Sequence, residues 1–140
     1  MNGAALRSFE SIRVGEVARL RHVIAEKDIA AFAEASGDYN PLHMDDAHAS
    51  GTPFKKRVVH GMYLGGLVSQ LVGMQIPGRN ALLLKASLDF KKPVFIGDII
   101  EVHGSVSSKS AATRVMKLAI VIKSNAIEVA EGIVHVRVLE

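Results

Sequence analysis

From Leu82 to Phe90 the apolar side chains fall on every second residue. Leu82, Leu84, Ala86, Leu88 and Phe90 share one face, and Ala81, Lys85, Ser87 and Asp89 share the other. Such two-fold alternation predicts a half-buried strand. The pattern returns three times. Ile100, Val102 and Val106 alternate with Glu101, His103 and Ser105; Met116, Leu118, Ile120 and Ile122 with Lys117 and Lys123; Ala130, Val134, Val136 and Val138 with Glu131, His135 and Arg137. Four consecutive strands of this kind imply an antiparallel sheet with one covered face.

The cover is predicted from the segment Val58 to Gly78, which holds no Asp, Glu, Lys or Arg. Its apolar residues, among them Met62, Leu64, Leu67, Val68, Leu71 and Val72, surround a helical axis instead of lining one stripe. A helix of that kind is buried on most sides. Its uncharged length reaches that of a membrane span, but His60, Ser69, Gln70, Gln75, Pro77 and five glycines suit a core helix and not a lipid-facing one. Each glycine inside a helix costs about 1 kcal/mol relative to alanine. Gly61, Gly65 and Gly66 therefore point to close approach by a backbone or a slender ligand. Upstream, Gly15 to Ile24 is β-prone. Glu26–Ser36 sets Ile29, Phe32, Ala33 and Ser36 on one helical face, with Gly37 as its stop. Asp38 to Pro53 reads as a loop in which Pro41 biases Asn40 away from helical geometry. The sum is an α+β architecture, an antiparallel sheet wrapped around a long buried helix, with hairpins favoured over parallel crossovers. This is the hot-dog arrangement. Residues 1–140 fit one domain, and a sheet with open edges predicts pairing into a homodimer or a larger oligomer.

Composition narrows the chemistry. With no cysteine among 140 residues, disulfides, thiolate nucleophiles and cysteine-based metal centres are excluded. Met1 to Ser11 carries no continuous apolar run before Arg7, so no signal-peptide core is read there, and a cytoplasmic location is the default expectation. The net charge of +3 is scattered and the aromatic residues are few. That pattern argues against nucleic acid as a partner and suits a small polyanion such as the phosphates of a coenzyme. Lys55, Lys56, Arg57, Arg79, Lys91 and Lys92 could bind such phosphates or an acidic carrier protein, or could simply be solvated.

Polar chemistry concentrates in the loop. Asp38 and His43 stand five residues apart with Pro41 stiffening the chain between them, so an acid and an imidazole can be aimed at one point. The alternative is structural: Asp38 ends a helix and His43 bonds a loop backbone. Asn40 either ties the turn together or touches substrate, and His60 reads as a structural histidine bonded to nearby loop groups. His43, Asp45, Asp46, His48 and His60 match no metal-ligand spacing, and no metal is expected. Gly61-Met-Tyr-Leu-Gly-Gly66 lacks the register and the preceding strand of a dinucleotide loop, and no cofactor is expected.

The segment Ala35-Ser-Gly-Asp-Tyr-Asn-Pro-Leu-His43, then Val59-His-Gly-Met62, then Phe90-Lys-Lys-Pro-Val-Phe-Ile-Gly-Asp98, closely resembles the signature of the MaoC-like, (R)-specific enoyl-CoA hydratase family. The resemblance implies a hot-dog fold, dimerisation and reversible addition of water to a trans-2-enoyl thioester carried by coenzyme A or an acyl carrier protein. It implies that Asp38 and His43 hold the catalytic water, with Asp38 as the base and His43 shuttling the second proton. It makes the Gly61 N–H, at the start of the apolar helix, the donor to the thioester oxygen. Asn40, Gly65 and Gly66 are the candidate substrate contacts. The family's helix serine is replaced here by Gly66, so one contact near the water is missing. Two rivals stay open: a hot-dog thioesterase, which would direct water to the carbonyl carbon, and a binding module that keeps the pocket without the chemistry.

Overall fold

The computed structural model describes residues 3–140, so Met1 and Asn2 of the N-terminal segment lie outside it. Strand β1 (Val17–Val23) leads into α1 (Glu26–Ser36) and two short helices, α2 (Pro41–Met44) and α3 (Asp46–Ser50). The long helix α4 (Gly61–Met74) follows, and then β2 (Ala81–Phe90), β3 (Ile99–Ser110), β4 (Val115–Ser124) and β5 (Ile127–Val138). All strand pairs are antiparallel, in the order β1-β3-β4-β5-β2. Helix α4 touches both edge strands, β1 and β2, as well as β3. A sheet can meet one helix with both of its edges only by curling around it, which is the hot-dog arrangement.

The alternation read from β3, β4 and β5 delivers the core. Ile100, Val102, Leu118, Ile122 and Val134 are each fully buried and meet Leu64, Leu67, Val68, Leu71 and Val72 of α4. Each such side chain removed from water contributes about 1.5–3 kcal/mol. A Cβ at Gly104 of β3 would sit 2.8 Å from Leu71 Cδ2, so the bare backbone is what lets α4 lie this close to the sheet.

Four expectations need correcting. Strand β2 forms, but its predicted single apolar face does not: Leu82 pairs with Arg137 and Ala86 with Val134, on opposite faces of β5, and Leu82, Leu83 and Leu84 are 44%, 41% and 52% exposed. The reason is position. β2 is an edge strand paired only with β5, and a bulge between Leu83 and Lys85 shifts its register. The apolar segment is not helical from Val58. Val59 N–H bonds Val94 O at 2.8 Å and Val58 bridges Phe95, so the helix begins only at Gly61. Nor is α4 buried on most sides: its buried residues, Leu64, Leu67, Val68, Leu71 and Val72, line one stripe, and Met62 is 65% exposed on the outer side. Finally, the loop after Asp38 contains α2 and α3, helices too short for a periodic signal. No helix among the described residues is long and apolar enough to cross a membrane.

Candidate active site

Gly37 ends α1 in the left-handed region at φ 76°, where its N–H bonds Ala33 O. The chain then runs through Asp38 without regular structure. One Asp38 carboxylate oxygen accepts the Asn40 N–H at 3.1 Å, and the Asn40 side-chain oxygen accepts the Leu42 N–H at 3.0 Å. Asn40 is thus the N-cap of α2, with Pro41 in its first turn. Its oxygen serves the turn, which leaves only its amide NH₂ for a ligand.

His43 rides on α2 and donates its Nδ1–H to Val58 O at 2.6 Å. The loop-backbone reading therefore holds for one nitrogen only, and Nε2 is left as the working atom. His60, the N-cap residue of α4, is 1% exposed and its Nε2–H donates to the backbone oxygen of Asp38 at 2.9 Å. Its ring lies 4.1 Å from that of His43, tilted by 31°, and 4.8 Å from Phe32. His60 Nδ1 is buried without a partner among the described residues.

Asp38, His43 and His60 each offer one polar atom within 4.8 Å of the others. Two hydrogen bonds of about 2.8 Å meeting at one water oxygen span about 4.5 Å, so a single water can bridge the Asp38 carboxylate and His43. The same set has the ligand types of a divalent ion, and each histidine bonds a backbone carbonyl through one ring nitrogen, which leaves the other for a water or an ion. Asp45, Asp46 and His48 are not part of the cluster; Asp45 caps α3 by accepting the His48 N–H.

Next to the cluster opens a mainly apolar cleft of about 420 Å³ whose walls include His43, Gly61, Leu64, Phe90 and Val94. That is the size and character of a small-molecule site. Gly61 opens α4, and the first N–H groups of a helix have no partner within it. The His60 side chain makes no capping bond, because it is turned to Asp38. One wall of the cleft thus pairs an imidazole with free backbone donors at a helix N-terminus.

The model of the MaoC like domain family matches residues 11–127. The chain belongs to this family. A 3-hydroxybutyryl-CoA dehydratase of Methylorubrum extorquens is 40% identical over 111 residues, covering 79% of this chain and 71% of the relative. An (R)-specific enoyl-CoA hydratase of Aeromonas caviae is 45% identical over 101 residues, covering 72% and 75%. The solved structure of an (R)-hydratase from A. caviae involved in PHA biosynthesis superposes with a TM-score of 0.88 at 37% identity, over 92% of this chain and 98% of that one.

Other candidate residues of this MaoC-like chain are more scattered. Gly65 and Gly66 lie on α4 but outside the cleft wall. A Cβ at Gly65 would meet Leu88 Cδ1 at 3.7 Å, an ordinary contact, whereas one at Gly66 would meet nothing within 4 Å. Gly66 faces open space, where a longer side chain would fit.

Of the basic residues, Lys91 and Lys92 border the cleft. Lys91 is paired with Glu131 at 3.0 Å and Glu128 at 3.4 Å, and its hydrogen bond to Glu131 raises its pKa. Lys56 lies over the Phe95 ring at 4.3 Å. Arg57 is not a surface cation: only 8% of its side chain is exposed, and it pairs with Glu26 at 2.8 Å. Phe90, read in the sequence as one more apolar residue on a covered strand face, instead stands beside Gly61 in the cleft wall. Its ring would lie 3.4 Å from a Gly61 Cβ.

Behind the site, His22 Nε2–H donates to Asp28 at 2.9 Å and the Tyr63 hydroxyl lies 3.0 Å from the same nitrogen. Burial, with Asp28 close by, pushes the Tyr63 hydroxyl up to about 12. Tyr63 meets Phe32 edge-on and so backs the ring that packs against His60.

Proposed function

We propose that the chain is an (R)-specific enoyl-CoA hydratase, a hydro-lyase that interconverts trans-2-enoyl and 3-hydroxyacyl thioesters. The observation that carries this reading is the Asp38 carboxylate and the His43 imidazole within one water's span, beside the free N–H groups that open α4. The relatives named above support the reaction class and its stereochemistry.

In the hydration direction Asp38 takes a proton from the bridging water, and the oxygen of that water bonds to C3 of the enoyl group. The C2–C3 π electrons move onto the thioester oxygen, where the Gly61 N–H and the α4 dipole meet the developing charge. His43, oriented through Val58 O, enters the step as the imidazolium and supplies from Nε2 the proton that C2 takes up. Asp38 and His43 then return to their starting charges by exchanging one proton through the next water. The product has gained H at C2 and OH at C3, and nothing is oxidised or reduced.

The active unit is a dimer, located in the cytoplasm. Its contact is the β2 edge, where Leu82, Leu83 and Leu84 are exposed in a single copy, together with the bare outer side of α4 at Met62 and Gly66. The other edge, β1, carries Arg19 and Arg21 on its exposed face, charges that oppose edge pairing. The thioester is presented by coenzyme A or by an acyl carrier protein, whose phosphates find Lys92 at the cleft mouth.

Stereochemistry tests the reading. Dehydration of (R)-3-hydroxybutyryl-CoA to the enoyl thioester, with the (S) isomer untouched, is the expected result. Equal use of both isomers, or of neither, would refute it.

A further inference from the structure

Among the described residues three polar or charged side chains are buried: Arg57, His60 and Ser124. Ser124 bonds Asp98 at a distant turn. The other two do related things. Arg57 donates Nε–H to the backbone oxygen of His43 at 2.6 Å, and His60 donates Nε2–H to the backbone oxygen of Asp38 at 2.9 Å. Each buried donor therefore holds the main chain of one member of the acid–base pair.

Burying a guanidinium and an imidazole costs desolvation that carbonyls on an exposed loop do not require, since water would satisfy them. Residues 37–41 are all exposed, and the other hydrogen bonds of Asp38 and Asn40 are local, reaching no further than four residues along the chain. Without His60, nothing distant would fix where Asp38 points. The segment that bears the anchors is, by contrast, rigid. Val59 is bonded to Val94, Val58 N–H donates to Leu42 O at 3.1 Å, and Val58 O takes the His43 ring. Arg57 is itself held by Glu26 at the start of α1, and His60 is clasped between Phe32 and His43. The next residue is Gly61, the first of α4.

We propose that Arg57 and His60 are positioning residues, which set the backbones of His43 and Asp38 in register with the Gly61 N–H. This rests on the hydratase reading of Asp38 and His43. One short rigid segment then fixes the base, the proton shuttle and the oxyanion donor together. Such geometry matters because a misplacement of about 1 Å can cost on the order of 10² in rate.

The test is a double-mutant cycle on the full chain with crotonyl-CoA. His60→Phe keeps a ring between Phe32 and His43 but removes the donor; His60→Gln replaces the ring yet keeps an N–H near the Nε2 position. His60→Phe is expected to lower kcat by about 10- to 100-fold with KM within about twofold, and His60→Gln to recover part of that loss. In an Asp38→Ala background, His60→Phe should change the residual kcat by less than about twofold, because the residue acts through Asp38. Arg57→Met should behave likewise toward His43→Ala, and if it does not fold the His60 cycle decides alone. Equal losses in both backgrounds, or a lowered melting temperature with kcat unchanged, would overturn the proposal and leave the hydratase reading standing. No turnover by the unaltered protein would sink both.

Discussion

The His43 Nδ1–H donates to the backbone carbonyl of Val58 at 2.6 Å, so the ring meets its environment through Nε2. Asparagine at this position can keep a donor near Nδ1 but offers nothing at Nε2. His43→Asn should therefore lower kcat on the order of 10² to 10⁴, the usual contribution of a proton-transfer group, with the melting temperature little changed. Steady-state kinetics and a thermal melt on one preparation check this. A large loss of stability would instead mark the histidine as structural.

Asp38→Asn makes the matching case. The carboxylate oxygen that accepts the Asn40 N–H has a counterpart in the asparagine carbonyl, so the turn survives while the base is lost. We expect a fall in kcat on the order of 10² to 10⁴ with the circular dichroism spectrum intact. Retained activity would remove Asp38 from the mechanism.

Gly61 and Phe90 form a steric pair. A methyl group at residue 61 would lie 3.4 Å from three atoms of the Phe90 ring, tighter than a relaxed contact, and would crowd the N–H assigned to the thioester oxygen. Gly61→Ala should cost about 10-fold in kcat/KM, and adding Phe90→Ala should return part of it. If the double variant is no better than Gly61→Ala alone, the ring is not what limits the site.

Strand β2 teaches most about what a sequence carries. Its alternation of Leu82, Leu84, Ala86, Leu88 and Phe90 marks a strand correctly, because period-two patterning is a local property. Burial is not local. β3, β4 and β5 are paired on both sides and bury their apolar faces in the core, whereas β2, although it meets α4, is paired on one side only and bulges after Leu83, which leaves Leu82, Leu83 and Leu84 exposed. Likewise Val58 and Val59 look helical in an uncharged run but are claimed by residues 94 and 95, far along the chain. The candidate site divides the same way. Asp38, His43 and Gly61 stand in a recognisable motif, while the anchoring by Arg57 and the wall formed by Phe90 depend on contacts that no spacing reports.

The exposed β2 edge makes a prediction about assembly. Sedimentation velocity should find the unaltered chain as a dimer and Leu82→Lys/Leu84→Lys as a monomer, since charge at an edge opposes strand pairing. An unchanged sedimentation coefficient would place the contact elsewhere.

Asp28 links stability to pH. Burial pulls its carboxyl up, but the Ala25 N–H and His22 outweigh that, and the net pKa is lowered from 3.8. A carboxyl lowered by folding contributes stability that is present above 3.8 and lost as pH falls through the lowered value. Thermal melts of Asp28→Asn and the unaltered chain should differ at about neutral pH and converge at the acid end. A gap that stays constant with pH would show that the charge of Asp28 does not matter.

The most direct measurement is to incubate pure protein with crotonyl-CoA while following enoyl absorbance and free thiol together. Hydration at C3 gives loss of absorbance to an equilibrium with no thiol released, a change that Asp38→Asn and His43→Asn abolish. Thiol release would mean that the water attacks the carbonyl carbon instead of C3, and binding with neither signal would mean a pocket without the chemistry; either result contradicts the account.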